Sequence, residues 1–190
     1  MPFVKVNDIN IYYEIHGSGP RLLVISGTGG DLRNKPNTFD WPLASHFEIL
    51  GYDQRGLGQT DKPDIPCTIA DYARDAAGLL EALGWDSCSV MGVSFGGMVA
   101  QEMALGYPGR VKQLVLACTS SGGGGGASYP IHEFDLLPPR ERALRVIPVR
   151  DTRNDEAWQT AQPQEFQQMV EQTAARFQKG ADEPATKAGA

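Results

Sequence analysis

The stretch SCSVMGVSFGGMVAQEMA, residues 87–104, sets a serine between glycines where one sequence pattern gives way to another. A short run of small and β-branched residues precedes Ser94 and suits a strand. The residues after it follow a helical pattern. A serine that leaves a strand and enters a helix within one step needs a positive φ. That conformation costs about 1–3 kcal/mol and persists only where the surroundings enforce it. The turn also crowds the positions two before and two after the serine, and these are Gly92 and Gly96. GVSFG thus satisfies G-x-S-x-G with a strand before it and a helix after it, as that pattern requires. The corner would lift the Ser94 hydroxyl above the carboxyl edge of a sheet, where open α/β folds bind ligands. Its chemistry would be nucleophilic attack on a carbonyl carbon.

The same corner puts the backbone amide of Phe95 at a helix N-terminus, where it and the helix dipole can stabilise a developing oxyanion. A second donor is expected from the loop ISGTGGD, which follows the apolar run LLVI and is rich enough in glycine for a close backbone approach. Thr28 is the expected donor, with Gly27 as the alternative. Phosphate binding does not fit this loop. No Lys-Ser/Thr follows as a P-loop requires, and Leu32 stands where the third glycine of G-x-G-x-x-G would be.

The elements that would hold these groups follow in a regular order. FVKVNDINIYYEIHG reads as a hairpin turning at Asn7-Asp8, with Ile9, Ile11 and Tyr13 on one face. RLLVIS and FEILGYD are short apolar runs suited to strands buried on both faces. TIADYARDAAGLLEALG reads as a helix capped by Thr68, with Asp71 in the reciprocal position of a capping box. Tyr72, Ala76, Leu79, Leu80 and Leu83 form its inner stripe, and Gly84 stops it. A strand over SCSVMGV, a helix over FGGMVAQEMALGY and a strand over VKQLVLACT follow. This alternation implies βαβ units and a mostly parallel sheet. After Thr119 the rhythm ends in a glycine-rich loop and three helical, proline-interrupted segments. Residues 1–119 are therefore expected to form a sheet core and residues 120–190 a helical region with a flexible tail.

Composition narrows the partners. The 190 residues carry 17 basic and 23 acidic side chains, a formal charge of −6, with no basic block. Nucleic acid and anionic membranes are unexpected partners, and no apolar run reaches the roughly 20 residues of a membrane span. Three widely spaced cysteines and the lack of a signal-peptide pattern point to the cytoplasm, without a disulfide framework or a zinc site. DQRGLGQTD is expected to be structural, with Asp53 and Arg55 pinning the loop. Trp41, Trp85 and Trp158 are expected to pack, and Phe95 to lie near the pocket.

In their order, SGTGGD, YDQRGLGQTDKP and GVSFGGMVAQEMALGYPGRVKQLVLA resemble the N-terminal part of the α/β-hydrolase superfamily, near the esterase and lactonase group that includes enol-lactonases. The likeness covers roughly residues 1–119. It implies the α/β-hydrolase fold, a mostly parallel sheet with an N-terminal hairpin, followed by a helical cap. It also implies Ser94 as nucleophile, Phe95 and Thr28 as oxyanion amides, and a small ester or lactone as substrate, with no cofactor. Members often carry His-Gly where this chain has Ser26-Gly27. The family's acid and histidine come after later strands, and neither has a counterpart here. His16 and His46 precede the serine. His132 and Asp135 follow it, but after no strand. The expectation is a serine hydrolase on an incomplete chain, whose acid, base and last strands lie on a complementary C-terminal part. The alternative is a non-catalytic binding protein on the same scaffold.

Overall fold

The computed structural model describes residues 2–122 and 130–182, which fall into two compact units divided between these two ranges. The first is built on a six-stranded sheet. Strands β1 (Phe3–Val6) and β2 (Ile9–Gly17) form the hairpin, with Val6 opposite Ile9 and Asn7 at φ 52° in the turn. Then come β3 (Arg21–Ile25), β4 (Glu48–Tyr52), β5 (Cys88–Val93) and β6 (Val111–Ala117). The spatial order is β1-β2-β4-β3-β5-β6. The hairpin joins antiparallel through β2 and β4, and the remaining strands pair in parallel.

Both faces of the central strands are apolar because both are covered. On one side Leu23, Ile25, Leu50 and Val90 pack with helix α1 (Ile69–Ala82) and helix α2 (Phe95–Gly106). Tyr72, Ala76, Leu79 and Leu80 of α1 are buried as its spacing predicts. The Thr68–Asp71 capping box is formed, and Gly84 takes φ 68° just past the helix end. On the other side Leu22, Val24 and Ile49 meet Phe39, Trp41 and Leu43, carried by two 3-10 turns at Thr38–Asp40 and Pro42–Ser45. Burying each such Leu, Ile or Val contributes roughly 1.5–3 kcal/mol.

The sheet ends at β6, which pairs only with β5 among the described residues. Leu114, Val115 and Leu116 remain 37%, 49% and 44% exposed, so this apolar strand is a raw edge. The second unit carries α3 (Pro139–Arg150), α4 (Glu156–Ala161) and α5 (Pro163–Asp182). Its small core is Ala143, Ile147 and Val170, flanked by Phe166 and Phe177. Arg142 lies over the Phe177 ring at 4.1 Å and pairs with Asp135. Much of the glycine run and the end of the tail lie outside the described residues. No described helix is long and apolar enough to cross a membrane.

Candidate active site

Ser94 sits where β5 gives way to α2, at φ 53° and ψ −119°, and is exposed. Glycine explains how the chain survives the corner. A Cβ on Gly92 would come within 2.6 Å of the Gly97 Cα, and one on Gly96 within 2.6 Å of the Ile25 carbonyl carbon. A side chain at either place would push β5, α2 and β3 apart. The corner is also tied down. The Ser94 amide donates to the Ala117 carbonyl at 2.9 Å. The Ser94 carbonyl accepts from the Gly97 amide at 2.8 Å and from the Thr119 hydroxyl at 2.7 Å. Gln101 Nε2 donates to the carbonyls of Gly97 (3.1 Å) and Ser120 (2.9 Å), fastening the chain after β6 to α2.

The loop after β3 comes up beside the serine. A Cβ built on Gly27 would stand 3.3 Å from Ser94 Cβ and 4.0 Å from its Oγ. Buried Gln54 anchors the base of this loop by donating from Nε2 to the Ser26 carbonyl at 2.8 Å. Asp53, fully buried, accepts from the amides of Leu32 and Gln59, each at 2.8 Å, and so ties the two loops together. Burial pushes the Asp53 carboxyl above its ordinary range, although these amide bonds work against the shift. Of the residues expected as oxyanion donors, Phe95 starts α2, where its amide has no helical acceptor, and Thr28 follows Gly27 in the chain.

Arg55 does more than pin its own loop. Only 2% exposed in its side chain, it donates from Nε to Asp75 Oδ2 at 2.8 Å and from Nη2 to Asp75 Oδ1 at 3.0 Å and Asp8 Oδ1 at 2.8 Å. The hairpin, the loop after β4 and α1 are joined at this one guanidinium. Asp75 and Asp8 were not distinguishable in the sequence from surface carboxylates.

The histidines do not reach the serine from the first unit. His16 pairs with Ile49 in the β2–β4 register and bonds Glu14 at 2.8 Å, and His46 closes the turn before β4. Both stand where the parallel strands begin, whereas Ser94 stands where β5 ends. Five strand residues separate these edges, about 16 Å. His132 lies in a 3-10 turn, Ile131–Leu136, of the second unit, and its side chain is outside the described residues. Asp135 is engaged by Arg142. Among the described residues, the Ser94 hydroxyl has no hydrogen-bond partner, and no three His, Cys, Asp or Glu side chains converge as a metal site.

The half-buried Phe95 ring stands edge-on to Tyr72 with centroids 5.1 Å apart, where α2 packs on α1. Trp41 and Tyr52 are the aromatic residues on the wall of a cavity of about 230 Å³ beside the loop after β3, which also touches Gly27 and Val93.

A hairpin leading into this strand order, with a glycine-flanked serine at φ 53° after the third parallel strand, defines an α/β fold built around a strand-to-helix corner. The model of the alpha/beta hydrolase fold family matches residues 20–182, and the chain belongs to that family. RutD from Azorhizobium caulinodans, provisionally named a carbamate hydrolase, is 34% identical over 116 residues, 61% of this chain and 43% of that protein. A poly(3-hydroxyalkanoate) depolymerase from Ectopseudomonas oleovorans is 36% identical over 101 residues, 53% of this chain and 35% of that one. The enol-lactonase from Burkholderia xenovorans LB400 superposes with a TM-score of 0.63 over 93% of this chain and 70% of its own. At 22% identity that likeness concerns the fold alone. The chain spans less than half the length of the curated relatives named here.

Proposed function

We propose that the protein is a serine hydrolase of small carboxylic esters or lactones, with Ser94 as nucleophile. The observation that carries this reading is the exposed Ser94 at φ 53° at the start of α2, with Gly27 of the loop after β3 beside it and no hydrogen-bond partner for its hydroxyl among the described residues. In the first step Oγ bonds to the substrate carbonyl carbon while its proton passes to a base. The carbonyl oxygen gains negative charge between the Thr28 and Phe95 amides. Collapse breaks the carbon–oxygen bond, the alkoxide leaves with the proton, and an acyl ester remains on Ser94. In a lactone the alcohol stays tethered to the acyl group. Water then releases the acid by the same steps. Names among the relatives, carbamate hydrolase and poly(3-hydroxyalkanoate) depolymerase, agree with attack on an acyl carbon.

Base and orienting acid come, on this reading, from polypeptide outside the described residues, and the helical unit serves as the cap. Oxyanion donors and binding alone retain about 10³–10⁴-fold over water when a triad is broken. A second reading, a binding protein on the same scaffold, is favoured by one observation: no base reaches Ser94 among the described residues. A fluorophosphonate probe separates the two. The catalytic reading requires labelling of the chain that disappears in Ser94→Ala. Ligand-induced thermal stabilisation with no labelling would favour the binding protein.

A further inference from the structure

In the loop after β3, which reaches Ser94 at Gly27, two successive carbonyls are tied and two successive amides are untied. The Ser26 carbonyl accepts from Gln54 Nε2 at 2.8 Å, and the Gly27 carbonyl accepts from the Gly30 amide at 3.1 Å. The amides of Gly27 and Thr28 donate to nothing among the described residues. A trans peptide points its N–H opposite to its C=O, so a bond to one carbonyl also fixes the direction of the amide that follows. The Gly27–Thr28 peptide is fixed locally, by a turn with Gly29 at φ 73°. The Ser26–Gly27 peptide depends on a side chain from the loop after β4.

That side chain is suited to little else. Gln54 is fully buried, yet Nε2 makes this one hydrogen bond and Oε1 has no partner among the described residues. An amide buried on those terms adds little net stability. Its backbone is well held: the Gln54 carbonyl accepts from the Leu57 amide at 2.8 Å, and its buried neighbours Asp53 and Arg55 are both engaged. The Ser26 carbonyl oxygen also lies against the first turn of α2, since a Cβ on Gly96 would collide with it. One carbonyl thus meets both the Gln54 amide and the helix that follows the nucleophile.

We infer that Gln54 is a positioning residue for the Ser94 site: it locks the Ser26–Gly27 peptide with the carbonyl turned to Gln54 and the Gly27 amide left free beside the nucleophile. Without that bond the Ser26 carbonyl loses its partner, and turning the peptide toward water recovers one. The same turn would put a carbonyl oxygen where the Gly27 amide stood, and its partial negative charge repels an oxyanion. The catalytic consequence rests on the Ser94 reading; the hold on the peptide does not.

The test uses Gln54→Met, which keeps the length and removes the donor, and Gln54→Asn, which keeps the amide but shortens its reach. Gln54→Met should melt within about 4 °C of the wild type, since it removes an unpaired oxygen along with the bond. Both variants should slow the p-nitrophenyl acetate burst at least about tenfold, part of the roughly 10²–10³ that one oxyanion donor contributes. The matching thionoester, whose sulfur is a weak acceptor, should be slowed less, so the preference for oxygen over sulfur shrinks. Equal slowing of both esters, or a burst at the wild-type rate, would overturn the inference. Collapse of the fold in both variants would make Gln54 a structural support and overturn it too. Amide NMR keeps the two readings apart. The Gly27 and Thr28 signals should be single in the wild type and should broaden or double in the variants as the peptide turns. Those changes without a wild-type burst would remove the catalytic reading alone. A wild-type burst with those signals unchanged in both variants would remove the Gln54 assignment alone.

Discussion

The hydroxyl of Thr119 donates a 2.7 Å hydrogen bond to the carbonyl of Ser94, reaching from the chain just past β6 to the corner between β5 and α2. The contact is close on a second count, since a Cβ on Gly97 would lie 2.5 Å from the Thr119 Cβ. The strained serine is therefore held from the neighbouring strand as well as by its own helix. Thr119→Val keeps the volume and removes the donor. It should lower stability by about 1 kcal/mol and slow Ser94 labelling severalfold, read from a urea melt and a labelling time course. Unchanged labelling would mean that the Gly97 amide suffices to hold the corner.

The glycines at the corner are predicted to resist replacement. Gly96→Ala places a methyl against the Ile25 carbonyl, where backbone and not a flexible side chain must yield. The expected loss is about 3 kcal/mol or more, measured by chemical denaturation. Gly109→Ala is the control: nothing stands within 4 Å of that position, and its effect should be small.

The buried guanidinium at the hairpin is predicted to be a stability centre without a direct role in chemistry. Arg55→Met leaves Asp75, 2% exposed in its side chain, without its charge partner. Breaking a buried pair from one side costs about 3–5 kcal/mol. The melt should show that loss. At temperatures where the variant is folded, Ser94 labelling should stay near the wild-type rate.

Arg55 also sets an acid limit through Asp8. Its guanidinium holds the Asp8 carboxyl well below the ordinary value, from 3.8 down to about 2. A carboxyl depressed in the folded state contributes stability that is full above the unfolded value and is lost as pH falls through the folded one. The Tm difference between wild type and Asp8→Asn should be constant from pH 7 to about 5 and should shrink between about 4 and 2. Because the Asp8 side chain is 52% exposed, solvent screening keeps that difference small. A difference that grows on acidification would contradict the pairing.

The elements around the serine were legible because each carries a local signal. GVSFG marks the corner, Thr68 and Asp71 mark a helix start, and Asn7-Asp8 mark a hairpin turn. The two 3-10 turns over 38–45 had no periodicity to betray them, and with them Thr38 and the wall formed by Trp41 went unread. The partners of Arg55 were hidden for another reason: Asp8 and Asp75 are 47 and 20 residues away, and only the fold brings them together. Adjacency to Ser94 fixes the Phe95 amide, whereas only the packing of α2 on α1 fixes its ring against Tyr72.

The most direct test of the account is the reaction of the chain with p-nitrophenyl acetate under single-turnover conditions, followed by peptide mapping. Nucleophilic attack by Ser94 predicts a burst of about one p-nitrophenol per chain. A single acetyl group should then lie on the peptide containing Ser94, and both signals should vanish in Ser94→Ala. Acetylation elsewhere, or an equal burst from Ser94→Ala, would contradict the assignment of Ser94 as the nucleophile.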